Sequence, residues 1–171
     1  MTSRAPTLVA TLAGVSILAL PLGMSPLPIY MWNASASVPP GLYRLQSTDE
    51  RYVTELVAVM PSEPLATFLA DGSYLPRAVP MLKRVMALPG QTVCREGLTI
   101  FVDAIAMGAA RERDGRGRRL PVWQGCRIIA AGELFLMNWQ SADSLDGRYF
   151  GPIPASAVIG RAQPVWIEKK D

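Results

Sequence analysis

The residues best suited to chemistry lie in one short Pro/Gly-rich segment, Ser35-Ala-Ser37-Val-Pro-Pro-Gly41, which follows an apolar N-terminal stretch. Prolines and glycines at this density predict a turn, and a serine held on a turn can act as a nucleophile. The 171-residue chain contains no histidine, so a Ser-His-Asp triad, a Cys-His pair and a histidine-ligated zinc are all excluded. Any serine chemistry must therefore use another base.

Lysine is the base that remains. The chain has lysine only at positions 83, 169 and 170, and the last two lie at the C-terminus, where fraying is expected. Lys83 lies inside a predicted strand, on the same face as Met81, Val85 and Ala87. Apolar surroundings lower the pKa of an ammonium group and so favour the neutral amine that a general base needs. The alternative is a lysine whose amine reaches solvent at a strand edge.

Residues 1–30 are predicted to form a membrane anchor. The stretch 8–30 carries no charge and can supply the roughly 20 apolar residues that a spanning helix needs. Arg4 precedes it and favours an N-terminus inside and a chain outside. The alternative is a secretory signal cleaved after Ala34-Ser-Ala36, which would leave Ser37 as the first residue. Both place residues 31–171 on the outer side of the membrane.

Residues 31–171 are predicted to form one mostly β domain. Fifteen prolines and fourteen glycines separate short apolar runs, which is typical of strands joined by turns. Strands are predicted at 52–60, 81–88, 92–94, 98–103, 104–107, 127–129, 134–137, 158–162 and 165–167. One helix is predicted over 62–75, since apolar residues recur there at helical spacing.

Cys94 and Cys126 are the two cysteines of the chain. Two cysteines without histidine cannot build a structural zinc site. Outside the cytoplasm they are predicted to form a disulfide; the alternative is a pair of free, buried thiols.

Residues 111–119 form the one low-complexity stretch, Arg-Glu-Arg-Asp-Gly-Arg-Gly-Arg-Arg. A nucleic-acid-binding segment typically has more positive charge and interleaved aromatic residues. The formal net charge of this chain is only +3. A solvated loop is therefore predicted, and no nucleic-acid partner. DNA contact and weak attraction to anionic lipid are the alternatives.

Four segments, in order, resemble the boxes of the type I signal peptidase family. They are Ser35-Ala-Ser37-Val-Pro-Pro-Gly, Leu82-Lys-Arg-Val-Met-Ala-Leu-Pro-Gly90, Gly132-Glu-Leu-Phe-Leu-Met137 and Ser144-Leu-Asp-Gly-Arg-Tyr-Phe-Gly-Pro-Ile-Pro154. Within that family, residues 37–44, 117–123 and 148–152 resemble the conjugative-transfer branch of TraF type. The housekeeping enzymes typically have Met where this chain has Val38, and a Gly-Asp-Asn-x-Asp run where it has residues 138–143. These departures favour the specialised branch.

The resemblance implies a signal-peptidase-like β domain with a Ser-Lys dyad. Ser37 matches the nucleophile and Lys83 the general base. Ser35 matches the residue whose hydroxyl stabilises the oxyanion, together with the backbone N–H of Ser37. The alternative is that Ser35 only caps the turn.

Three further residues are implied by the last box. Ser144 matches a serine that orients the lysine, and Asp146 matches an acid that is functionally essential in the TraF-type branch. Arg148 is its expected ion-pair partner. The alternatives are a loop serine and a common Asp-Gly turn.

The resemblance implies a single-pass serine endopeptidase in the bacterial inner membrane, with its catalytic domain in the periplasm. Its expected partners are the lipid bilayer, the conjugative transfer machinery and a membrane-inserted pilin precursor, cut to a linear or a cyclic product. No metal or organic cofactor is expected. The alternatives are a general or accessory signal peptidase, and a non-catalytic membrane-anchored scaffold of a conjugation or secretion complex.

Overall fold

A computed structural model describes residues 5–19, 29–47 and 50–168. Its helices and strands follow one another in the order α1 (Ala5–Ala19), β1 (Tyr30–Asn33), β2 (Gly41–Gln46), β3 (Leu56–Val59), α2 (Leu65–Asp71), β4 (Met81–Ala87), β5 (Thr92–Glu96), β6 (Thr99–Val102), β7 (Ile105–Ala109), β8 (Gly125–Ile128), β9 (Glu133–Leu136), α3 (Gly147–Phe150), β10 (Ile153–Pro154) and β11 (Val158–Ile167). A 3-10 turn, Ala155–Ala157, joins the last two strands.

Two antiparallel sheets organise these strands. The larger has the order β1-β2-β11-β3-β4-β9-β10, and the smaller has the order β7-β6-β5-β8. The larger sheet contains both segments predicted to be catalytic: the serine-bearing turn joins β1 to β2, and Lys83 lies on β4. The prediction of a mostly β domain is confirmed.

The larger sheet is apolar on both faces near β4. One core cluster joins Leu82 to Val38, Tyr43, Leu45, Leu56, Ala58 and Ala162. A second cluster joins Val85 to Val57, Val59, Leu134 and Leu136. Burying such side chains contributes about 1.5–3 kcal/mol each. A residue in the middle of β4 is therefore far from water on either side.

Most predicted elements are present with shifted ends, and four were not predicted. The predicted strand 52–60 is shortened to Leu56–Val59, and the predicted helix 62–75 is shortened to Leu65–Asp71. The predicted strands 158–162 and 165–167 are one strand with an irregular register between Pro164 and Trp166. Strands β1, β2 and β10 and helix α3 were not predicted, because they are short and lie among prolines and glycines, which are typical of turns.

Helix α1 is the part of the predicted 1–30 anchor that the structure describes in regular form. Leu8, Val9, Leu12 and Val15 on it are each more than half exposed. No helix among the described residues has the length and apolar character needed to cross a membrane. Residues 20–28 of the predicted anchor lie outside the described residues.

The predicted disulfide is confirmed: Cys94 on β5 and Cys126 on β8 are bonded, and the alternative of free thiols is wrong. The two residues are directly opposite each other in the smaller sheet. They are 32 residues apart, for which the loop-entropy model gives a stabilisation of up to about 4 kcal/mol. Their sulfurs lie near the Glu96 carboxylate, but oxidised sulfurs are not available as thiolate ligands for a metal.

Candidate active site

The two candidate serines lie on the turn between β1 and β2. Ser35 is exposed and Ser37 is half-buried. The Ser35 hydroxyl donates to Ser37 Oγ at 3.0 Å, and the Ser37 backbone N–H donates to Ser35 Oγ at 3.3 Å. The groups expected to form the nucleophile and the oxyanion hole therefore hydrogen-bond one another in this structure.

A close backbone approach fixes where this turn ends. Gly41 begins β2 with φ +153°, and a Cβ at this position would lie 2.2 Å from the carbonyl oxygen of Trp166 on β11. Only glycine fits so close to another backbone. The turn and β2 are thereby held against β11 of the larger sheet.

Lys83 is buried, with 5% of its surface exposed. It lies opposite Val57 on β3, and its Nζ donates to Ser144 Oγ at 2.8 Å. Burial lowers the pKa of Lys83 to about 8; the charge of Asp146 raises it and that of Arg148 lowers it further. Desolvation has a larger effect on this pKa than either neighbouring charge. It lowers the pKa because the ammonium group loses more hydration on burial than the neutral amine does.

One cavity of about 670 Å³ is lined by Ser35, Ser37, Lys83 and Ser144. The structure thus brings the predicted nucleophile, base, oxyanion donor and orienting serine to a shared space. Among the described residues, the Ser37 hydroxyl accepts a hydrogen bond from Ser35. The Lys83 amine donates one to Ser144. Catalytic hydrogen bonds often tighten only when substrate is bound.

Asp146 and Arg148 form a buried ion pair. Arg148 Nε lies 2.9 Å from Asp146 Oδ1, and the two side chains are 2% and 0% exposed. Arg148 Nη2 also lies 2.9 Å from Asp146 Oδ2. Asp146 is the N-cap of α3 and accepts from the Arg148 backbone N–H. Each carboxylate oxygen is therefore hydrogen-bonded, as a buried charge requires.

The ion pair holds the loop that carries Ser144. Arg148 Nη2 donates to the carbonyl oxygens of Ser141 at 2.6 Å and Ser144 at 3.1 Å. Ser144 in turn accepts the hydrogen bond from Lys83. Asp146 and Arg148 are thus connected to Lys83 through Ser144.

Asn138 was not predicted as part of the site. Its side chain donates to the Leu82 carbonyl and accepts from the Arg84 N–H, both at 3.0 Å. These are the peptide groups on either side of Lys83. The Asn138 backbone N–H donates to Asp146 Oδ2 at 3.0 Å, so one residue ties β4 to the ion pair. The sequence offers only a lone asparagine after an apolar run, which is too weak a signal.

Arg95 was also missed. It is 1% exposed on β5, and its Nη1 donates to the Arg148 carbonyl at 2.6 Å. This bond joins the smaller sheet to α3. A buried arginine that bonds a backbone carbonyl has no sequence motif, so only the fold reveals it.

Part of the 111–119 segment lines the same cavity. Asp114 accepts from Tyr74 Oη at 2.5 Å and from Arg118 Nε at 2.7 Å, and these bonds hold the pKa of Asp114 well below its ordinary value. The Arg118 guanidinium lies 4.3 Å from the centre of the Tyr74 ring. The segment is mostly exposed, as predicted for a solvated loop, but Arg111, Asp114, Arg116 and Arg118 also line the cavity.

The sequence of the chain matches a peptidase family. The model of the signal peptidase, peptidase S26 family matches residues 3–167, so the chain belongs to this family. The resemblance predicted from the four boxes is confirmed.

Several curated relatives are conjugal transfer proteins. A probable conjugal transfer protein TraF of Sinorhizobium fredii is 34% identical over 80% of this chain and 76% of its own length. The conjugal transfer protein TraF of Agrobacterium fabrum is 32% identical over 80% and 82%. A plasmid transfer protein TraF of Escherichia coli is 29% identical over 82% and 77%.

A crystal structure of a signal peptidase I from Enterococcus faecalis is a distant structural match. It is 16% identical, has a TM-score of 0.41, and covers 67% of this chain and 98% of its own.

Proposed function

We propose that this protein is a membrane-anchored Ser-Lys endopeptidase of conjugative transfer that cleaves a pilin precursor. One observation carries the proposal: Ser37 and the desolvated amine of Lys83 line the same cavity. The conjugal transfer relatives support the conjugative setting.

In the first half of the reaction, Ser37 Oγ attacks the scissile carbonyl and its proton passes to the neutral Lys83 amine. The oxyanion accepts hydrogen bonds from the Ser37 N–H and the Ser35 hydroxyl. At rest the Ser37 N–H donates to Ser35 Oγ and the Ser35 hydroxyl donates to Ser37 Oγ, so substrate binding must rotate the Ser35 side chain to direct both donors at the oxyanion. One such donor contributes about 3–4 kcal/mol to transition-state stabilisation.

In the second half, the Lys83 ammonium gives its proton to the leaving amine, and an acyl ester on Ser37 remains. Water attacks this ester with Lys83 again as base, which releases a linear product. Attack by the N-terminal amine of the same precursor instead releases a cyclic product and regenerates the Ser37 hydroxyl. Neither route needs a metal or an organic cofactor.

We propose that the peptidase domain rests on the periplasmic face of the inner membrane. Trp32 and Trp166 stack with ring centroids 5.7 Å apart, and they are 60% and 53% exposed. Tryptophan is enriched at membrane interfaces. This pair on β1 and β11 lies beside the serine-bearing turn, and the exposed apolar residues of α1 support an N-terminal anchor. A membrane-inserted precursor would then emerge close to Ser37.

The substrate assay uses the full-length protein in lipid vesicles together with a pilin precursor. Mass spectrometry should show one cut, and a cyclic product would be lighter than the linear one by the mass of a water molecule. Secretory preproteins supply the comparison: equal cleavage of these would favour a general signal peptidase. Precursor maturation that persists in the Ser37→Ala protein would favour the scaffold alternative.

We expect kcat/KM to rise about tenfold per pH unit below pH 8 and to level off above it. The base must be neutral, and with a pKa of about 8 only about a tenth of Lys83 is neutral at pH 7. A lysine with an ordinary pKa would instead make the rate rise across the whole range up to about pH 10. Initial rates from about pH 6 to 10, on a substrate without titratable groups, measure the midpoint. A flat profile across this range would contradict Lys83 as the base.

A further inference from the structure

We propose that Asn33 is the positioning residue that holds Ser37 and Ser35 in the geometry for attack. This inference rests on the proposed peptidase function. Asn33 is the last residue of β1, and it is 7% exposed. No motif in the sequence draws attention to it.

The Asn33 amide bonds the turn on both sides of the nucleophile. Before Ser37, its Oδ1 accepts from the Ser35 N–H at 3.1 Å and its Nδ2 donates to the Ser35 carbonyl at 2.8 Å. After Ser37, Nδ2 donates to the carbonyls of Val38 and Pro39, both at 3.2 Å. One side chain thus takes the place of the sheet partners that a turn lacks.

A second, weaker constraint comes from β2. The Tyr43 hydroxyl donates to the Pro39 carbonyl at 2.6 Å. It touches the turn at one point after the nucleophile, whereas Asn33 spans it. Loss of Asn33 would free the peptide groups before Ser37, and loss of Tyr43 would not.

Loss of the Asn33 contacts should lower the rate of the chemical step. Two groups of Ser37 must reach the same carbonyl group of the substrate. Its Oγ attacks the carbonyl carbon, and its N–H donates a hydrogen bond to the carbonyl oxygen. Catalytic groups must be held within about 0.5 Å of the productive geometry, and a displacement of about 1 Å can cost about 100-fold in rate. Substrate affinity depends on the rest of the cavity and should change little.

The test compares Asn33→Ala, Asn33→Asp and Tyr43→Phe. Asn33→Asp keeps an acceptor for the Ser35 N–H and removes every donor to the three carbonyls. For both Asn33 variants we expect kcat to fall by about 100-fold with KM within about threefold. The pH midpoint near 8 should stay in place because no contact of Lys83 is altered. Tyr43→Phe should lower kcat by less than either.

Gln91→Ala is the matched control. The Gln91 amide also closes a turn, since it accepts from the Leu88 N–H at 2.9 Å and donates to Asp103 at 2.7 Å, but it lies outside the cavity. We expect an unchanged kcat at a comparable loss of melting temperature.

Wild-type kcat in folded Asn33→Asp or Asn33→Ala protein would overturn the proposal. So would a fall in kcat that Gln91→Ala reproduces, because the effect would then follow stability alone. If Asn33→Ala does not fold, Asn33→Asp gives the same comparison. Failure of the peptidase function itself is recognised separately, by cleavage that survives Ser37→Ala.

Discussion

Replacing Ser37 by alanine, or Lys83 by methionine, is expected to lower kcat/KM for precursor cleavage by at least about 10³-fold. Alanine removes the attacking oxygen. Methionine keeps an unbranched apolar stem in the buried site of Lys83 and removes the base, so the protein should still fold. The double variant should be no slower than either single one, because nucleophile and base act as a unit. Single-turnover cleavage of the precursor measures each rate.

Two serines give the controls for this result. Ser156→Ala removes an exposed hydroxyl on the turn before β11 and should leave the rate unchanged. Ser35→Ala removes only an oxyanion donor and should cost about 10²–10³-fold. An acyl group trapped on Ser37 and identified by peptide mass would support the assignment. Cleavage at the wild-type rate in Ser37→Ala or Lys83→Met would remove the dyad from the mechanism.

Asp146→Asn is expected to lower the free energy of unfolding by about 3–5 kcal/mol, because it leaves the buried Arg148 guanidinium without its counter-ion. The loop that carries Ser144 depends on the same guanidinium, so cleavage should slow as well. The negative charge of Asp146 raises the pKa of Lys83. Its removal should therefore move the midpoint of the pH profile below about 8. Urea unfolding and the pH profile together measure these effects.

Asp143→Asn is the matched control for stability. It makes the same substitution three residues away, in an ion pair with Arg111 whose carboxylate is 76% exposed. Exposed pairs contribute about 0–1 kcal/mol. If Asp146→Asn costs no more than Asp143→Asn, the buried pair is not what holds the Ser144 loop. A pH midpoint that rises would show that burial of Lys83 has been lost.

Local sequence patterns predicted the strands that are apolar runs bounded by turn residues. They missed the strands that themselves contain or adjoin proline and glycine. Strand β4 was predicted at 81–88 and is Met81–Ala87, since apolar residues surround its two charged residues and Pro89-Gly90 marks its end. Strand β2 was missed, although its residues alternate between buried and less buried, because two prolines precede it and glycine is its first residue. Helix α3 has only four residues and depends on the Asp146 cap, so periodicity could not reveal it.

Some residues of the candidate site were likewise predicted from the sequence, and others were found only in the structure. Ser37 and Lys83 were predicted from the turn and from the absence of another base, and the resemblance to the signal peptidase boxes added Ser35, Ser144 and Asp146. Asn33 and Asn138 were not, because an asparagine side chain has no preferred partner until the backbone around it is placed. The basic 111–119 segment was predicted as a loop, but no local signal could show that it lines the same cavity as Ser37.

The sequence alone determined which chemistry was available. A chain without histidine and with one lysine away from its C-terminus leaves few bases for a serine, and no fold can change that. Only the tertiary structure decided how these groups are held. Lys83 meets Ser144 across 61 residues, and Asn138 meets Leu82 across 56. Periodicity and turn signals act over a few residues, whereas these contacts depend on how the strands pair and pack.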